Sequence, residues 1–160
     1  MAFLRQIDGI YETLDVKGDK FENYFQKVSL VARSDPNYQL DSSRIDSLRS
    51  FFNDYIDVYD RGLTKLDTLK EFDTSFYLVE LNAKILMNFK NSWTSVIPTF
   101  LKVFKTGWRD ASDSDRLTIQ SVRSIMGKYS IETDELSKQL EEQGVQFGEK
   151  YGFKYRMKKG

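Results

Sequence analysis

Apolar positions recur along this chain at steps of three and four, the period of an α-helix, and almost nowhere alternate strictly. Between residues 2 and 14, Phe3, Leu4, Ile7, Ile10, Tyr11 and Leu14 form one stripe with Arg5, Asp8 and Glu12 off it, which predicts a short amphipathic helix. Asp15-Val16-Lys17-Gly18 interrupts the stripe. Asp19 followed by Glu22 resembles a capping box, so a second helix is expected behind it, burying Phe21, Tyr24, Phe25, Val28, Val31 and Ala32. Ser34-Asp35-Pro36-Asn37 is turn chemistry. Ser42 or Ser43 can cap a third helix with the seam Ile45, Leu48, Phe52, Tyr55, Tyr59, Leu66 and Leu69, spaced as in a heptad, with Gly62 as its weak step.

The most apolar stretch is central, from Asp73 to Gly107. Leu78, Leu81, Ile85, Phe89, Trp93, Val96, Phe100 and Phe104 mark one helical face, with Asp73 as the expected N-cap and Gly107 as the closing residue. Pro98 is expected to bend it, because proline removes a backbone hydrogen bond. Asn82, Asn88 and Asn91 lie near that face and are expected to be partly exposed. The polar run Trp108 to Asp115 follows, with Ser114 or Asp115 as cap of a last long helix whose seam is Ile119, Val122, Met126, Tyr129, Thr133, Leu136, Leu140, Gln143 and Phe147. Gly144, Gly148 and Gly152 weaken the helical pattern beyond Gln143. Phe153 to Met157 is the one stretch with a strand-like reading.

The pattern therefore predicts an all-α, single-domain helical bundle of about five helices, two of them long, over residues 1–149. A basic, aromatic tail over residues 150–160 follows. Short loops favour antiparallel neighbours. The alternative is an arrangement in which the long helices complete their cores with a second chain. Such helices are similar in style to those of phage and viral structural proteins and adaptor bundles, but no motif carries that likeness and no residue role follows from it.

Composition narrows the chemistry. With 160 residues, 40 % of them hydrophobic, one core can be filled. The 24 basic and 24 acidic residues cancel, so no global field points to nucleic acid or a membrane. The chain contains neither histidine nor cysteine. Serine and cysteine triads, zinc sites built on His or Cys, haem ligation and His-containing di-iron bundles are thereby excluded. No phosphate-binding glycine loop occurs, since Gly127-Lys128 is followed by Tyr129. Asp113-Ser114-Asp115 opens like a calcium loop, but Leu117 occupies the third ligand position. No catalytic residue, metal site or cofactor is expected.

The tail is the candidate functional surface. Lys150, Lys154, Arg156, Lys158 and Lys159 surround Tyr151, Phe153 and Tyr155, with no acid after Glu149. Bases that neutralise phosphates beside rings that stack on nucleobases can hold single-stranded nucleic acid. The same charges can dock on an acidic protein face. The leading expectation is a non-enzymatic interaction or structural protein acting through self-assembly or partner binding, as a homo-oligomer or part of a larger assembly. Nucleic-acid binding through the tail is the alternative. With neither a secretory signal nor an unbroken apolar run long enough to span a membrane, a soluble protein in the cytoplasm or within an assembled particle is expected.

Overall fold

A computed structural model describes residues 2–35 and 37–155. Among them, four helices follow one another: α1 (Ala2–Ser34), α2 (Ser42–Thr68), α3 (Leu78–Thr106) and α4 (Asp113–Tyr151). No described residue is in a strand, and no helix of the described residues is long and apolar enough to cross a membrane. The all-α bundle is as the periodicity implies, with four helices rather than five.

The difference lies in α1. The expected break at Asp15–Gly18 and the capping box at Asp19 do not form, and one helix runs through both stripes. Gly18 serves close packing instead of a turn, since a Cβ there would sit 3.1 Å from the Tyr55 ring on α2. Gly62 likewise lies inside α2, against Ile10 and Leu86, so the weak step in the seam is where three helices meet. The strand-like reading also fails over its described part, because Phe153–Tyr155 follows the helix as irregular chain. Met157 lies outside the described residues.

Caps fall near, but not on, the expected positions. Asp41 caps α2 by accepting from the Arg44 amide at 2.9 Å. Helix α3 begins at Leu78 rather than behind Asp73, and Tyr77 before it is left-handed (φ 46°). Its free amides are served from a distance: Glu71 Oε1 accepts from Val79 N at 2.6 Å and Glu80 N at 3.3 Å. Helix α3 continues through Pro98 to Thr106, where Gly107 closes it as expected. Ser112, not Ser114 or Asp115, caps α4, accepting from Asp115 N at 3.1 Å.

Contacts fix an antiparallel order. Lys90 on α3 pairs with Asp60 on α2, Lys102 at the end of α3 pairs with Asp115 at the start of α4 at 2.6 Å, and Leu40 N before α2 donates to Phe104 O at 2.7 Å. The aromatic stripes are mostly core, whereas Phe89 on the α3 face is 40 % exposed. Phe21 is fully buried, with ring centroids of Phe52, Tyr55 and Trp93 at 5.5, 5.6 and 5.4 Å. Phe76 and Val103, off the expected seams, are also buried. A second cluster of Phe76, Leu78, Leu81, Ile85, Leu140 and Phe147 seals one end, where the ring of Phe3 lies 6.5 Å from that of Phe147. There the start of α1 closes on the end of α4. No close backbone contact joins α1 to α4 among the described residues.

Candidate functional site

The tail residues singled out by sequence separate into two groups. Lys150 Nζ and the Tyr151 hydroxyl both donate to Asp73 Oδ2, at 2.5 and 2.8 Å, and Asp73 also accepts from the Ser75 amide. These donors hold the Asp73 carboxyl well below the usual carboxylate range, while the carboxylate raises Lys150 and Tyr151. Both residues still belong to α4, which runs past residue 149. Gly152 (φ 74°) then reverses the chain, and Phe153 N donates to Gly148 O at 2.9 Å. Phe153 joins the second apolar cluster, with its ring 5.7 Å from Phe147. The Tyr155 ring lies on Gly144, where any Cβ would collide with it, and burial pushes its phenol up to about 12. Lys154 is exposed. Arg156, Lys158 and Lys159 lie outside the described residues. The structure thus places the rings of Phe153 and Tyr155 against α4 and ties Lys150 and Tyr151 to the loop before α3.

A further cleft lies elsewhere, between α1 and α4. It has a volume of about 660 Å³ and is lined by Tyr11, Leu14, Asp15, Gly18, Asp19 and Glu22 of α1, Tyr55 and Tyr59 of α2, Phe89, Ser92 and Trp93 of α3, and Met126–Asp134 positions of α4 including Thr133. A second cavity of about 330 Å³ continues from it between Phe25, Ser29 and Leu30 of α1 and Val122 of α4, sharing Trp93 and Met126 with the first. One seam between two helices is therefore open along much of its length.

The sequence explains why this seam stays open. On α1 the residues facing it include Asp15, Asp19 and Glu22 among the apolar positions, and on α4 Thr133 interrupts the apolar series between Tyr129 and Leu136. Carboxylates cannot be buried against an apolar face without large cost, so the helices cannot close over them. Glu22 is half-buried, and burial, with the Asp19 carboxylate beside it, raises its carboxyl above the ordinary value. Asp15, Asp19 and Asp134 are exposed at the rim. None of these four carboxylates has a salt bridge or hydrogen bond, and no Lys or Arg lines the cleft, among the described residues.

The floor is made of phenols held in place. The Tyr11 hydroxyl donates to Asn82 Oδ1 at 2.8 Å, and Asn82 Nδ2 donates to Leu78 O at 2.7 Å. Asn82 is thus buried and tied to α1, contrary to the partial exposure expected of it. Tyr55 and Tyr59 share one hydrogen bond at 2.8 Å, which uses one of their two hydroxyl protons. Burial raises all three phenols, so they remain protonated and serve as hydrogen-bonding groups. Thr133 is only 6 % exposed, and its hydroxyl has no hydrogen-bond partner among the described residues. No group of three or more Asp or Glu converges closely enough to hold a metal ion among the described residues. The signal legible in the sequence was Thr133 within a seam. The α1 face could not be read as one surface while the helix was divided at Gly18. No protein-family model, curated protein or solved structure matches the chain.

Proposed function

We propose that the protein is a non-enzymatic helical binding protein whose ligand seats between α1 and α4. The observation that carries this reading is the 660 Å³ cleft, lined by residues from all four helices. A cleft of this size falls within the range of small-molecule sites, roughly 300–1,000 Å³. The phenols are raised rather than activated, and Thr133 has no base within hydrogen-bond reach. What remains is recognition by shape, charge and aromatic surface.

The test is a screen of cationic, neutral and anionic fragments, read by backbone amide shifts of the full chain. Shifts should concentrate on Trp93, Gly127, Ser130 and Thr133. Hits confined to other surfaces would refute the reading. Light-scattering mass at rising protein concentration examines the assembly expectation beside it, because a mass that grows with concentration would place function in self-association.

A further inference from the structure

Resting on the reading of the cleft as a ligand site, we propose that its ligand is a free aliphatic polyamine. Its ammonium groups would lie between Asp15, Asp19, Glu22 and Asp134, over the aromatic floor of Tyr55, Tyr59 and Trp93. Four carboxylates and no described base give the cleft one sign of charge. Low-dielectric walls concentrate such a field and favour a cation. The charges are spread around the rim rather than gathered, since no three converge as a metal site would need. Separated charges fit a ligand whose own charges are separated by methylene stems.

Chemistry below the rim points the same way. Trp and Tyr faces attract an ammonium through the ring quadrupole. Methylene stems gain from apolar contact with Leu14, Phe89 and Met126. Thr133 as a residue is more than nine-tenths buried and lines the cleft, and its hydroxyl has no hydrogen bond among the described residues, so it offers an acceptor for an N–H donor. Ser92 donates its own proton to Phe89 O at 2.7 Å, which leaves its oxygen free to accept. A sugar would be read by amide and guanidinium donors as well, and no Asn, Gln, Arg or Lys lines the cleft among the described residues. A partner helix would bury an apolar stripe, and here that stripe would lie against the carboxylates of Asp15, Asp19, Glu22 and Asp134.

The test is titration of the full chain with spermidine at low salt, followed by calorimetry and by amide shifts of Gly127, Ser130 and Thr133. Saturable, cleft-confined shifts that weaken steeply with added salt are expected. Glu22→Gln should weaken binding roughly tenfold or more, as loss of a charged hydrogen bond does, and exposed Asp19→Asn by less. Arg156, Lys158 and Lys159 are cations of the same chain, so the titration is repeated with all three changed to Ser. Silence from spermidine in both forms overturns the proposal, as does an equal response to an uncharged oligoether of the same length. A tetralysine peptide that binds where spermidine does not overturns it too. Neutral or anionic fragments filling the cleft without spermidine would leave the binding site standing and remove the amine. No fragment of any charge in the cleft would remove both.

Discussion

Replacing glycines within the helices by alanine separates helix propensity from packing and tests the register of α1 directly. A Cβ at Gly9 would meet nothing within 4 Å, whereas one at Gly62 would lie 2.8 Å from Ile10 Cγ2 and 3.3 Å from Leu86 Cδ1. Both substitutions gain the same intrinsic term, about 0.5–1 kcal/mol for Gly→Ala in a helix. Gly9→Ala should therefore raise Tm by roughly 1–4 °C for a chain of this size. Gly62→Ala adds an overpacking cost of about 1–3 kcal/mol, because Ile10 and Leu86 are themselves buried and have little room to move. The common term cancels in the difference, so the two variants should differ by about 1–3 kcal/mol in urea and thermal melts. In an Ile10→Ala background the offending methyl is gone, and the gap should shrink. Equal stabilities for Gly9→Ala and Gly62→Ala would refute the contact between α1 and α2.

Other outcomes follow from single interactions. Phe21→Ala, which empties the centre of the larger core, should cost about 3–5 kcal/mol in denaturant melts. Glu71→Ala removes the only side-chain acceptor described at the start of α3 and should cost about 0.5–2 kcal/mol, with faster amide exchange at Val79 and Glu80. The lowered Asp73 carboxyl stabilises the fold at pH values above its unfolded value, about 3.9, and that contribution is lost as pH falls through the lower folded value. The stability gap between the native chain and Asp73→Asn should therefore be present at neutral pH and close in acid.

The sequence carried the class of the fold because heptad-like steps survive in every helix, and because the turn residues 34–37 and the polar run 108–115 set α2 and α4 apart from what precedes them. It misplaced the boundaries where tertiary contact overrides local preference. Gly18 looks like punctuation until the Tyr55 ring is set against it, and Gly144 and Gly148 look like fraying until Phe153 and Tyr155 fold back over them. Glu71 could not be read as a cap, since it reaches amides eight and nine residues away. The cleft was hidden for a related reason. Tyr11, Gly18 and Glu22 become one surface only when α1 is continuous, and the missing neighbour of Thr133 is a property of the gap between α1 and α4.

The same cleft makes a claim about stability that does not depend on its ligand. Glu22 faces Asp15 and Asp19 on α1, the Tyr55 and Tyr59 phenols on α2, and Asp134 across the opening on α4, with no described base among them. Its folded carboxyl is raised, so the folded chain holds the proton more tightly than the unfolded chain does. Stability on this account is greatest below the unfolded value, about 4.3, and is lost as pH rises through the raised folded value. Glu22→Gln keeps the shape and removes the charge. It should melt above the native chain at neutral pH, with a margin that narrows as pH falls and Glu22 takes up its proton. A margin that does not change with pH would mean that Glu22 is an ordinary solvated carboxylate. If the margin does narrow, a residue that lowers stability stands at the mouth of the cleft, and a cation seated there would relieve the strain that the fold alone leaves in place.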